Sequence, residues 1–450
     1  MKVVKFGGSS VANAEQISKI IGVVTADADR RIVVVSAPGK RCKDDTKVTD
    51  LLIALANTVL AGNDFEKELN AVVDRYAEIQ RELDLPADVV AVIEADLRGR
   101  IAGRGSNNLQ FMDAMKAAGE DNSAKLIAEA FTKAGFPAKY VNPGEVGMLL
   151  SDEFGNAEVL PESFEKLASL KDATEILIFP GFFGETKGGE VATFPRGGSD
   201  ITGAILAAAV KADVYENFTD VDSVCAMDPR VIDNPPAIES MTYREMRELS
   251  YAGFGVFHDE AIIPAVHAEI PICIKNTNNP SAPGTMVVPR RTPEHGSVVG
   301  ISSAGGFCSI YIDKYMMNRE IGFGRRLLQI LEEEGISFEH TPSGIDNVSV
   351  ILASANISNE KEALVVNRIK EELKPDNVTV EHGLALVMVV GEGMHYTAGM
   401  AAKATGAFRE AGVNLEMINQ GASEISMMFA VKDDDREKAI RALGAAFFGI

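Results

Sequence analysis

The sequence has no tryptophan, only four cysteines and six histidines, and each shortage removes a class of protein. Cys42, Cys225, Cys273 and Cys308 lie far apart with no CxxC spacing. That excludes a disulfide framework and a zinc module, and reads as the reduced thiols of a cytoplasmic protein. The histidines show no ligand spacing, so no metal site is expected from them and His258 reads as structural. No apolar run reaches the roughly 18 residues that a membrane-spanning helix needs. The first residues read as a strand and lack a signal-peptide layout. Positive charge is scarce: 44 Lys and Arg stand against 65 Asp and Glu, a formal charge of −21. A nucleic-acid binder needs a basic face, so this balance argues against one. Any anionic ligand must be drawn by a local basic pocket.

What is present suits an enzyme of two or three domains. Hydrophobic content of 46% and charged content of 24% are globular values, and 450 residues exceed one ordinary core. Residues 1–295 alternate strand and helix patterns. Strands are expected at 31–37, 175–180, 213–217 and 270–275, and helices at 49–61, 64–82, 123–134 and 200–210. Such alternation implies an α/β fold with a mostly parallel sheet and helices on both faces. Residues 278–284 are turn-rich and 289–296 read as a linker. The charged segment 84–116 carries no usable motif, and its basic stretch 98–104 reads as a solvated loop.

The last third holds an internal repeat at an offset of 77 residues. Gly-Ile-Ser-Phe-Glu at 335–339 matches Gly-Val-Asn-Leu-Glu at 412–416. Met317 pairs with Met394, Gly322 with Gly399, Gly344 with Gly421 and Ser349 with Ser426. Each copy reads strand, helix, two strands, helix, so two small α+β units follow the α/β part. Residues 297–302 read as an additional strand completing one of them.

Three segments carry chemistry. KVVKFGGSS, at 2–10, is an apolar strand running into two glycines and then a helix start. Glycines let backbone N–H groups approach a phosphate, and Lys5 adds a full charge. The spacing is neither the Walker pattern nor the dinucleotide fingerprint, and read alone it fits a tight turn equally well. PRGGSD, at 195–200, lies between a strand and a helix. Arg196 could grip a carboxylate and Asp200 could orient groups near phosphates; equally, Asp200 could be an N-cap and Arg196 a surface cation. Thr219-Asp220-Val221, followed by Asp228-Pro229-Arg230, suits ribose and phosphate contacts, or a turn with a solvated ion pair.

Taken together, KFGGSS, the Gly119-Glu120 pair, RGGSD, TDV with DPR and the duplicated tail resemble the aspartate kinases of the amino acid kinase family, across the whole chain. The resemblance implies a three-layer α/β/α kinase domain at 1–295 and two βαββα ACT domains at 296–380 and 381–450. It implies Lys5 and Asp200 as catalytic residues, with Gly7, Gly8 and Ser9 as the phosphate loop. It places Glu120 on the substrate ammonium and Arg196 on a substrate carboxylate. Ser36, Thr49, Phe182 and Ser199 complete that substrate site, and Thr219, Asp220 and Arg230 match nucleotide positions. Met317, Glu320, Gly322, Ser343 and Asp346 match positions where relatives bind a feedback amino acid, with lysine favoured and threonine second. Two departures fall on the nucleotide side: many relatives have Tyr at Cys225 and Lys at Gly255.

The reaction implied is phosphorylation of the L-aspartate side chain by ATP with Mg²⁺. A carboxylate with a pKa near 4 is already ionised at neutral pH, so no catalytic base is sought. A homodimer, or a dimer of dimers, through the ACT domains is expected. The alternatives are a kinase for another acidic amino acid, of the glutamate type, and a catalytically silent amino acid sensor.

Overall fold

The computed structural model describes every residue except 196, 252 and 254–258. Two compact units emerge. The first holds 1–224, 237–243 and 256–291; the second holds 225–236, 244–255 and 292–450.

The first unit is built on β1 (Lys2–Phe6), β2 (Arg30–Val35), β3 (Ala138–Tyr140), β4 (Ile176–Pro180), β5 (Phe183–Glu185), β6 (Val191–Thr193), β7 (Val214–Thr219), β8 (Ser240–Thr242), β9 (Ile272–Asn276) and β10 (Thr285–Val288). Eight of them form one sheet in the order β3-β4-β2-β1-β7-β9-β10-β8, while β5 and β6 pair separately. All neighbours in the large sheet are parallel except β9 and β10. Its central strands are apolar on both faces, as a doubly covered sheet requires. Val4, Phe6, Val33 and Val35 are buried with residues of α1 (Ala14–Thr25), α2 (Val48–Leu60), α3 (Glu66–Glu82), α4 (Asp88–Ala102) and α5 (Asn108–Lys133). Alternation turns Val3 and Lys5 to the opposite face, where α7 (Gly198–Val210) packs on β1, β2 and β7, after the short α6 (Glu162–Leu167).

Segment 84–116 is helical over 88–102 and from 108 onward, which corrects the loop expected at 98–104 for all but its last two residues. Arg98 pairs with Glu66 and Glu94 on exposed helix faces. Arg100 is inward, with Nε 2.8 Å from Asp96 and Nη2 2.5 Å from Asp121. The charges that suggested solvent are matched by acids on α4 and α5, and the arginine stems cover apolar surface. Helix α5 also starts fifteen residues before the expected 123. Its middle is buried nearly all round, so no amphipathic stripe marks it.

The second unit contributes α8 (Tyr243–Tyr251, all but its first residue), and α9 (Ile263–His267) belongs to the first, ahead of β9 and β10. The C-terminal third then runs β11 (Gly300–Asp313), α10 (Phe323–Glu333), β12 (Asn347–Ala353), α11 (Asn359–Leu373), β13 (Asn377–Val390), α12 (Met400–Ala411), β14 (Met417–Asn419), β15 (Ser426–Lys432) and α13 (Arg436–Phe448). Its antiparallel sheet has the order β12-β11-β13-β15-β14. One core gathers Cys308, Ile310 and Ile312 with α10 and α11; the other gathers Ile301, Val387 and Phe429 with α12 and α13. Met227 and Ile232, from the inserted segment 225–236, are part of that second core.

The extra strand expected at 297–302 is the first half of β11. Gly300–Ala304 pairs with Val390–Leu386, and the ladder shifts register before Phe307–Asp313 pairs with both β12 and β13. In the first copy the short strand matching β14 shrinks to the bridges His340↔Ile351 and Ser343↔Val348. Gly322 and Gly399 precede α10 and α12 at φ 81° and 91°, a conformation that glycine adopts without steric cost. The repeat keeps them for that reason.

Candidate functional site

The C-terminal ends of β1, β2, β4 and β7 meet where open parallel sheets place ligands. The Gly7 N–H donates to the Phe218 carbonyl at 3.3 Å, and the Gly39 N–H donates to the Gly8 carbonyl at 2.8 Å. A Cβ on Gly39 would come within 2.6 Å of the Gly8 carbonyl carbon, so the turn after β2 lies directly on the glycine loop. Arg75, buried on α3, donates to the carbonyls of Gly39 (2.8 Å) and Thr46 (2.6 Å) and holds this turn.

Lys5 points toward α7. Its Nζ is 2.6 Å from Oδ1 of Asp200, in the first turn of that helix. Asn217, in register with Lys5 on β7, donates from Nδ2 to the same oxygen at 2.6 Å. Asp200 therefore fixes the lysine, and a strand-borne amide fixes Asp200.

A cavity of 660 Å³ opens beside this pair. Ser36, Thr49, Glu120, Phe182 and Ser199 line it, as do Lys5, Gly7, Gly8 and Asp200. Arg196 lies outside the described residues, as do Gly255 and His258. Ser9 is exposed and not among the lining residues. Thr219 ends β7 beside the glycine loop and Asp220 follows it, but neither lines the cavity. Arg230 belongs to the second unit, where it is exposed and paired with Asp228 at 2.8 Å.

Glu120 is the unusual group. It is buried, and its Oε2 has no hydrogen-bond partner. Burial pushes its carboxyl up to about 8, against the pull of backbone hydrogen bonds from Ala37 and its own N–H. Gly119 makes this placement possible: a Cβ there would lie 2.8 Å from that of Ala37. Phe182 reaches the cavity from a left-handed backbone (φ 79°), with its N–H bonded to Thr202 Oγ1 at 2.9 Å and its ring seated against Gly198. Strained backbone of this kind collects at binding sites.

Sequence reasoning missed Lys47, Lys116 and Thr193, which also line the cavity. Lys116 sits one turn before Glu120 on α5, and that i, i+4 spacing was the available signal.

In the second unit, Met317, Glu320 and Asp346 come together. Met317 is buried in the first core. Asp346 Oδ1 accepts from the Met316 N–H at 2.8 Å, and the Asn318 N–H donates to the Ile345 carbonyl at 3.1 Å. Glu320 is paired with Lys314 (2.5 Å) and Arg326, hydrogen bonds that hold its carboxyl below the usual range. Gly322 starts α10 beside them. Ser343 lines a separate cavity of 490 Å³ over the sheet, with Tyr311, Thr379 and Glu381. Tyr315, Ile321 and Ile345 are largely exposed around the Glu320 loop.

The profile of the amino acid kinase family matches residues 1–276, and an ACT domain profile matches 387–447. The chain is similar to aspartokinase 3 of Bacillus subtilis, 56% identical over 448 residues that cover 100% of this chain and 99% of that protein. Among solved structures, Clostridium acetobutylicum aspartate kinase superposes with a TM-score of 0.88 at 37% identity, covering 99% of both chains. Escherichia coli aspartokinase III, bound to aspartate and ADP, gives 0.77 at 27% identity over 100% of both. The same enzyme bound to lysine and aspartate gives 0.79 at 27%, over 100% of this chain and 99% of that one.

Proposed function

The chain belongs to the amino acid kinase family, and from that premise we propose that it phosphorylates the side-chain carboxylate of L-aspartate with ATP. A carboxylate oxygen attacks the γ-phosphorus, the bond to the β-phosphate oxygen breaks, and ADP leaves with the electron pair. No proton is moved, because the nucleophile is already an anion. The obstacle is charge: an anion must meet a polyanion, so positioning and cations carry the catalysis.

Lys5 neutralises the transferring group, and the glycine-loop amides hold the phosphates. Asp200 keeps the Lys5 ammonium aimed, at 2.6 Å, and Asn217 keeps Asp200 in place. Both contacts fall on Oδ1, so Oδ2 is the oxygen left for a magnesium ion. When bound, the metal offsets phosphate charge.

The observation that carries the substrate reading is Glu120. A buried carboxyl without a partner, in the cavity of the Lys5–Asp200 pair, is completed by an ammonium. An α-amino acid with a second carboxylate supplies that ammonium and a nucleophile together. Ser36, Thr49, Phe182, Arg196 and Ser199 would complete the substrate site. Ser9, Thr219 and Asp220 would serve the nucleotide.

The tail regulates, with 296–380 and 381–450 as its two modules and lysine as the effector at the Met317–Glu320–Asp346 cluster. Lysine bound to the similar Escherichia coli enzyme supports this reading. The apolar Tyr315, Ile321 and Ile345 support a homodimer through the same region. Four free thiols, and no helix among the described residues long and apolar enough to cross a membrane, support a cytoplasmic site.

The test is ADP release from Mg-ATP with L-aspartate, with and without L-lysine. Aspartate-dependent turnover that lysine suppresses is expected. Turnover that lysine leaves untouched would reject lysine as effector, and its absence would reject the kinase reading.

A further inference from the structure

We propose that Lys47 is a second catalytic cation, placed to neutralise the phosphoryl group as it passes from ATP to the substrate carboxylate. The proposal rests on the kinase reading above and deepens it.

Lys47 breaks a local rule. It is the N-cap of α2, with extended backbone and no side-chain cap hydrogen bond. Ser, Thr, Asp and Asn are favoured at this position, because a side-chain oxygen there accepts from the first-turn N–H groups. The positive end of the helix dipole also disfavours a cation. Lysine is thus a poor choice for folding, and such choices collect where function requires them.

The loop before α2 carries that charge to the phosphate end of the cavity. Lys47 is exposed and lines the 660 Å³ cavity together with Lys5 and Gly8. The Val48 N–H donates to the Pro38 carbonyl at 3.0 Å, and the next residue, Gly39, donates from its N–H to the Gly8 carbonyl at 2.8 Å. These two bonds join the start of α2 to the glycine loop. The loop between them is rigidly held. Asp45 accepts from Arg41 Nε at 2.9 Å and lies 3.3 Å from Arg75 Nη1, while Arg75 donates to the Gly39 and Thr46 carbonyls. Lys47 therefore borders the cavity from its phosphate-loop side, whereas Glu120 borders it from α5.

Its charge is also uncommitted. Lys5 is matched by Asp200 at 2.6 Å, and Lys116 lies 3.9 Å from Asp113. The Lys47 ammonium has no partner among the described residues, Asp50 three residues on included. In the transfer, a bond forms from the carboxylate oxygen to phosphorus while the bond from phosphorus to the ADP oxygen breaks. Charge spreads over the three equatorial oxygens meanwhile. Lys47, a compact charge with three donors on a flexible stem, would sit on those oxygens and neither give nor take a proton.

Lys47→Ser separates the two demands on this position, since it supplies a cap and removes the cation. We would measure kcat, the KM for aspartate, the KM for ATP and the Tm for wild type, Lys47→Ser, Lys47→Met and Lys47→Arg. Lys47→Ser is expected to raise Tm by about 2 °C. It should lower kcat on the order of tenfold or more, with each KM within about threefold. Lys47→Met should lose the same kcat without the gain in Tm, and Lys47→Arg should keep most of kcat. A second readout is the binding of Mg-ADP and aspartate with fluoroaluminate, a planar stand-in for the phosphoryl in transfer. Lys47→Ser should weaken that complex on the order of tenfold and leave the Kd of Mg-ADP alone unchanged.

An unchanged kcat in Lys47→Ser and Lys47→Met would make Lys47 a solvent-facing residue and overturn the proposal. A loss confined to the KM for aspartate would put Lys47 on the amino acid instead and overturn it as well. So would a rise in both KM values that high salt abolishes, the mark of a charge that steers anions toward the cavity. A wild type that phosphorylates a different acidic acceptor defeats the aspartate reading alone, and the same comparison of kcat then decides Lys47. A wild type that phosphorylates no acceptor defeats the kinase reading and this proposal with it.

Discussion

In the proposed reaction Lys5 and Glu120 would perform opposite electrostatic tasks, and each gives a measurable prediction. In that proposal Lys5 acts on charge that moves during transfer. Lys5→Ala is expected to lower kcat by a factor on the order of 10² or more with a smaller change in KM. Steady-state kinetics check this, and an unchanged kcat would remove Lys5 from the chemistry. Glu120, in the same proposal, acts on charge already present in the substrate. Its proton stays on in the fold up to about pH 8, whereas the unfolded chain releases it near 4.5. The stability it lends is therefore full below 4.5 and declines as pH rises toward 8, by at most about 1.4 kcal/mol per unit. Glu120→Gln removes that slope. Its urea midpoint relative to wild type should rise between pH 5 and pH 8. Binding runs the other way, because the ammonium needs the ionised carboxylate. Aspartate affinity in wild type should increase roughly tenfold per pH unit up to 8 and be flat in Glu120→Gln. Parallel pH profiles for the two proteins would show that the ammonium sits elsewhere.

At the scale of elements, α5 organises the site, since it carries Asp113, Lys116, Gly119, Glu120 and Asp121 within three turns. Arg100 anchors it by pairing with Asp121 and Asp96, both largely buried. Lys125, 2.9 Å from Asp121, shares that duty. Arg100→Met should destabilise the fold by roughly 3 kcal/mol by leaving buried acids underpaired, which urea unfolding would detect. The turn at Gly39 makes a second prediction. Gly39→Ala forces a methyl onto the Gly8 backbone, so the KM for ATP should rise while the KM for aspartate changes less. The sequence made the glycine loop, the strands and α7 legible because apolar runs punctuated by glycine have one common reading. It also placed Lys5, Glu120 and Asp200 through motifs. It concealed α4 and the first half of α5, where paired charges imitate a solvated loop. Lys116 and Thr193 stayed hidden as well, since neither lies in a motif and only the packing of α5 against β6 brings them together.

For the whole molecule, the repeat announced two modules, and two cores are present. Their shared strand β11 and the inserted segment 225–236 could not be read from periodicity, because both depend on contacts made far along the chain. A chain cut after 295 would strand Met227 and Ile232 without the core that buries them. It should aggregate or bind a hydrophobic dye, and a truncated chain with wild-type Tm and no dye binding would contradict this.

The same threading sets an order of events during synthesis. Segment 225–236 leaves the ribosome about 200 residues ahead of α13, on which its partners' core is completed. At roughly 5–20 residues per second that interval is on the order of ten to forty seconds. Through it, the nascent kinase unit holds an apolar loop with nowhere to go. Chaperone occupancy of the growing chain should therefore persist until the last helix has emerged.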